Sequence, residues 1–119
     1  MSRRKAHREV GVALLVSTLE KKGIKLVAVD FDQTLISFHS GGVWKDSVDK
    51  LVPKVRPCIR DLIQTCLDHD INVCIVTYFM QPVVIRELLH KLFRRYITNK
   101  HVNFVQLATL NNNYKKSQT

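Results

Sequence analysis

Asp30 and Asp32 stand two residues apart at the end of the apolar run Leu26-Val27-Ala28-Val29, with Thr34 and Leu35 just beyond them. Two acids at the end of a buried strand serve no structural purpose of their own. Desolvating each carboxylate costs several kcal/mol unless a cation or hydrogen bonds offset it. The spacing points to a metal ion and to phosphoryl chemistry. Thr77 closes a second apolar run, Val73-Cys74-Ile75-Val76, and offers a hydroxyl.

These residues need a sheet to bring them together. Residues 24–29 are rich in β-branched types and apolar almost throughout, the pattern of a strand covered on both faces of a parallel sheet, so this strand is predicted to be central. A helix over 9–22, ended by Gly23, precedes it. Gly41-Gly42 marks a turn within 36–44, predicted to be a loop or flap over the site with a small hairpin at its tip. A short helix over 46–52 follows, and Pro57 suits the first position of the next helix. There Ile59, Leu62, Ile63, Cys66 and Leu67 recur at helical spacing and mark one apolar stripe. Residues 71–77 read as a second buried strand.

Gln81-Pro82 opens another helix, with Val84, Ile85, Leu88, Leu89, Leu92 and Phe93 on its apolar side, fading near Arg95. Residues 102–108 are the next predicted strand. Strand, helix, strand in this order implies parallel crossovers. Ligands of such sheets sit outside the carboxyl ends of the strands, where Asp30, Asp32 and Thr77 all fall. The predicted fold class is therefore α/β, Rossmann-like, a three-layer α/β/α arrangement with a short parallel sheet. It forms a single domain, with a basic tail over 1–8, a core over 9–110 and a polar tail over 111–119.

With 119 residues, 45% hydrophobic and 24% charged, the chain suits one soluble domain of modest core. No apolar run is long enough to cross a bilayer, so no membrane partner is expected. The first 19 residues imitate a signal peptide, but Glu9 interrupts the approach, Glu20-Lys21-Lys22 follows, and no small-residue cleavage site is present; an ordinary first helix is the reading adopted. The net charge of +9 suits anionic partners. No aromatic-interleaved basic motif or zinc-finger spacing accompanies it, which argues against nucleic acid. Cys58, Cys66 and Cys74 are odd in number and lack C-x-x-C spacing, so a reduced, cytoplasmic setting is expected and a zinc site is not.

Asp30-Phe31-Asp32-Gln33-Thr34-Leu35 after an apolar strand, and Val73-Cys74-Ile75-Val76-Thr77 on a later one, resemble the first and second motifs of haloacid dehalogenase (HAD) superfamily hydrolases. The resemblance is to the N-terminal part of such proteins and covers about residues 24–110. It implies that Asp30 is the nucleophile of a phosphatase-type hydrolase, forming an aspartyl-phosphate. Asp32 would be the general acid and base, and Thr77 would hydrogen-bond a phosphoryl oxygen. Mg²⁺ is the implied cofactor, held by the Asp30 carboxylate and the Asp32 backbone carbonyl. Read without the resemblance, Asp32 could cap a turn and Thr77 could simply finish a strand.

A third motif would supply a lysine, for which Lys115 or Lys116 is suitably placed, and a fourth would supply one or two further acids. After Val102 the sequence has no Asp or Glu. Metal affinity and turnover are therefore expected to be weak. Asp46 and Asp49 lie among lysines and read as a solvated helix face rather than as substitute ligands. Gln33 stands where the family often has Gly. His39 and Trp44 sit close enough to reach the mouth of the site.

The stretch 35–57 is too short for a large inserted cap, which leaves the site open to phosphorylated small molecules or macromolecules. The alternative is a non-catalytic relative that binds a phosphorylated ligand or a protein partner. An exposed sheet edge would then be a surface for a homodimer.

Overall fold

The apolar runs form a sheet because each is β-branched and short, and helices separate them. The computed structural model describes residues 2–97 and 101–106. In chain order these form α1 (Arg3–Lys21), β1 (Leu26–Asp30), a tight turn over Phe31–Leu35, α2 (Val48–Leu51) running into a single 3₁₀ turn (Val52–Lys54), α3 (Pro57–Asp68), β2 (Asn72–Thr77), α4 (Pro82–Ile97) and β3 (Val102–Gln106). The fold is α/β, and β1, β2 and β3 lie side by side in that order, all parallel.

The order corrects one expectation: among the described residues β1 is an edge strand, and β2 is the central one. The register pairs Val27 with Val73 and Val29 with Ile75, then Val73 with Val102 and Ile75 with Phe104. One face of the sheet therefore carries the buried set Val29, Val73, Ile75, Thr77 and Val102. α3 packs on β2, α4 packs on β3, and the two helices touch each other, so both cover this face. The opposite face carries Leu26 and Val105, which stay in solvent. An apolar run without alternation thus signalled two-sided cover that the described residues do not supply at β1.

Helix α1 begins at Arg3 rather than at residue 9. Ser2 is its N-cap, and its hydroxyl oxygen accepts a hydrogen bond from the Lys5 N–H (3.1 Å), so the basic stretch is helical rather than a tail. The Arg8 side chain reaches Asp61 on α3 at 2.6 Å, fixing the two helices against each other. Gly23 takes a left-handed φ of 74° where α1 ends, as its type suggested. Pro57 occupies the first turn of α3, and the predicted stripe holds, with Ile63, Cys66 and Leu67 buried and Ile59 and Leu62 half-buried. The strand foreseen over 102–108 is seen to Gln106. Its last two positions, the tail 111–119, Lys115 and Lys116 lie outside the described residues.

No helix among the described residues is long and apolar enough to cross a membrane. The cysteines are free, and burial raises the thiol pKa of Cys66 and Cys74 above the ordinary value.

Candidate functional site

The chain leaves β1 at Asp30 and turns at once. Phe31, Leu35 and Ile36 are fully buried, each removing an apolar side chain from water for roughly 1.5–3 kcal/mol, whereas Gln33 is exposed and Asp32 and Thr34 are half-buried. The Ile36 N–H donates to the Phe31 carbonyl (3.1 Å), closing one wide turn. Inside it Asp32 is extended (φ −62°, ψ 133°) and Gln33 is left-handed (φ 61°). The backbone at this position favours glycine, and Gln33 holds it at a cost of about 1 kcal/mol.

The flap then folds back on the turn. The Gln33 N–H donates to the Phe38 carbonyl (3.1 Å). Ser40 donates to Asp32 Oδ1 from its hydroxyl (2.8 Å) and its backbone N–H (3.3 Å). His39 Nδ1 lies 3.2 Å from Asp32 Oδ2. Both oxygens of Asp32 are thus held, while Asp30 is exposed and has no hydrogen-bond partner for its side chain among the described residues.

The flap is a loop rather than a hairpin, with one isolated bridge between Ile36 and Val55 at its base. Gly41 and Gly42 turn its tip with φ of 70° and 91°. That tip is pinned to the segment after β2: the Met80 N–H donates to the Gly42 carbonyl (2.8 Å), and the Trp44 N–H donates to Gln81 Oε1 (2.6 Å). Trp44 packs on Phe38 with ring centroids 5.7 Å apart.

Thr77 ends β2, one residue beyond Val76, the register partner of Asp30. The two parallel strands therefore deliver Asp30 and Thr77 to the same end of the sheet. Thr77 is buried, and its Oγ1 accepts from the Phe79 N–H (2.8 Å). Among the described residues its hydroxyl hydrogen has no acceptor. Phe79 stacks edge-on against Phe31 (5.2 Å), and its carbonyl accepts from the Gln106 amide on β3 (2.8 Å), so the loops after β1 and β2 are locked together.

Of the residues singled out from sequence, the structure joins His39 to Asp32 directly and brings Asp30 and Thr77 to adjacent strand ends. Trp44 braces the flap from outside. Asp46 pairs with Lys50 (3.2 Å) and Asp49 with Lys91 (2.8 Å), both acids in solvent and occupied elsewhere. Ser40 was missed as a site residue. Its only sequence signal was its place beside the Gly pair, within reach of the acids once the turn closes.

Mg²⁺ typically takes one or two carboxylates from a protein and completes its shell with water and phosphate oxygen. Asp30, solvent-facing and without a side-chain partner among the described residues, suits that role. No cluster of three or more His, Cys, Asp or Glu side chains that could enclose an ion occurs among the described residues. The donor set fits an ion shared with a phosphorylated ligand, not a closed metal cage. Compared with known protein families, curated proteins and solved structures, the chain matches none.

Proposed function

We propose that the protein is a Mg²⁺-dependent phosphohydrolase of the HAD type, working through an aspartyl-phosphate on Asp30. The reading rests chiefly on one observation: Asp30 and Thr77 end adjacent parallel strands, one register step apart, with Asp32 held by Ser40 on the turn that follows β1. Asp30 is unencumbered, as a nucleophile must be. A bound Mg²⁺ would neutralise the repulsion between carboxylate and phosphate. Asp32, oriented by Ser40 and His39, would give a proton to the leaving oxygen and later take one from water. The Thr77 hydroxyl would donate to a phosphoryl oxygen. The reading also implies the full three-layer α/β/α arrangement, with helical cover over the face that carries Leu26 and Val105.

The test is phosphate release from an aryl phosphate with and without Mg²⁺. Wild-type release should need the ion, and Asp30→Asn should lower it by about a thousandfold or more. Release that is independent of metal, or unchanged by the substitution, overturns the assignment.

A second reading is binding of a phosphorylated ligand without turnover. It is favoured by the absence, among the described residues, of any group of three or more His, Cys, Asp or Glu side chains that could hold a metal ion. Phosphate or phosphonate binding that needs Thr77 and Mg²⁺, with no release of product, would decide for it.

A further inference from the structure

Exposed large hydrophobic residues gather at the mouth of this site. Val43 (37% exposed), Tyr78 (57%), Met80 (66%) and Val83 (65%) lie on the flap tip, on the segment after Thr77 and at the start of α4. Hydrogen bonds tie the flap tip and the segment after Thr77 to Asp32. Ser40 donates to Asp32, Gly42 N–H donates to Ser40 Oγ (3.0 Å), and Met80 N–H donates to the Gly42 carbonyl (2.8 Å). The Met80 side chain lies against Gly42, where an added Cβ would stand 3.4 Å from Met80 Cγ and 3.8 Å from the Tyr78 carbonyl oxygen.

The fold does not need these side chains. Phe79, between Tyr78 and Met80, is the one the core takes in, at 1% exposure. Large apolar side chains left in water near a polar strand-end site suit a ligand that covers them. Its chemistry is also selective, since a phenol and a polarisable thioether both favour contact with an aromatic ring.

We propose that the site takes phosphomonoesters whose esterified group is aromatic, of the phosphotyrosine type, with Tyr78 and Met80 contacting the ring and Val43 and Val83 extending the apolar shelf. The proposal rests on the reading of Asp30 and Thr77 as the phosphate end of the site.

Phenylphosphonate and methylphosphonate share an anionic head and resist hydrolysis, so their binding isolates the ring. Both are titrated against the full chain in Mg²⁺ by calorimetry or NMR, alongside Tyr78→Ser, Met80→Ser and the double variant. All substituted positions are solvent-exposed, and thermal melts confirm the fold. Phenylphosphonate should bind at least about tenfold more tightly than methylphosphonate, and the ratio should fall to within about twofold in the double variant. If that preference holds but no aryl phosphate is turned over, the ligand class stands and the hydrolase reading fails. Equal binding of the two compounds, or a preference that survives the double substitution, overturns the ligand class and leaves the hydrolase reading standing. Binding of neither overturns both.

Discussion

The hydroxyl of Ser40 donates to Asp32 Oδ1 at 2.8 Å, and the same oxygen of Ser40 accepts from Gly42 N–H at 3.0 Å. One side chain thus couples the orientation of the second acid to the conformation of the flap. A hydroxyl used as donor and acceptor at once has a fixed rotor, so the carboxylate it holds has little freedom to swing.

Ser40→Ala should therefore loosen Asp32 without removing it. Turnover of an aryl phosphate is expected to fall by roughly tenfold to a hundredfold in kcat, with KM nearly constant, because misplacing an acid affects the transition state more than binding. Stability should fall by about 1 kcal/mol for the lost hydrogen bonds. His39→Ala should cost no more than about fivefold, since the ring is 71% exposed and an exposed pair is weak. Steady-state kinetics of the two variants, side by side, check the order.

The elements that carry the site were largely legible because their signals are local. Pro57 at a helix start, Gly23 at a helix end and the stripe from Ile59 to Leu67 depend only on nearby residues. The place of β1 in the sheet was not legible. An apolar run reports that a strand can be buried, whereas its rank depends on which other strands exist to pair with it. The start of α1 was lost because Arg3, Arg4 and Lys5 drew the reading toward a tail, though Ser2 ahead of them is a capping residue. At the site, Asp30, Asp32 and Thr77 were readable as strand-end residues. Ser40 was not, since its role arises only when the turn over Phe31–Leu35 reverses the chain by a π-type bond that no side-chain pattern announces.

Opposite outcomes are expected from glycine chemistry at two points of the loop system. Gly42 has φ of 91°, a conformation that L side chains rarely adopt, so Gly42→Ala should destabilise the protein by about 1–2 kcal/mol. Gln33 sits at φ of 61° with an exposed side chain, so Gln33→Gly should relieve left-handed strain. Its effect should lie between neutral and about 1 kcal/mol stabilising. Urea unfolding of both variants measures the contrast. A Gly42→Ala protein as stable as wild type would mean that the flap tip does not need the left-handed backbone at Gly42.

At Thr77 the hydroxyl, not the shape, should matter. The Phe79 N–H finds its acceptor in Thr77 Oγ1 in a buried setting, so Thr77→Val leaves that donor unpaired and should cost about 1–3 kcal/mol. Thr77→Ser keeps the oxygen and loses one methyl, for roughly 1 kcal/mol. Phosphonate affinity should follow the same division: retained within a few-fold in Thr77→Ser and lost by tenfold or more in Thr77→Val, since the hydrogen bond to an anion is charge-assisted. Thermal melts and titrations on both variants test the two halves separately.

Away from the site, the Tyr96 hydroxyl on α4 donates to Asp68 at the end of α3. That hydrogen bond first, then burial and the neighbouring Asp68 charge, raise the phenol's pKa above its ordinary value of 10.0. The folded pKa lies above the unfolded one, so the stabilisation is fully present below about pH 10 and disappears as pH rises through the folded value. Tyr96→Phe should therefore lower stability by about 0.5–1 kcal/mol near neutral pH, a modest figure because the pair is partly solvated. The gap between variant and wild type should close in alkali, as the wild-type tyrosine loses its proton and faces Asp68 as a second negative charge. Urea midpoints at about pH 8 and about pH 11 decide the matter: a gap of constant size across that range would mean that the α3–α4 contact does not depend on this hydrogen bond.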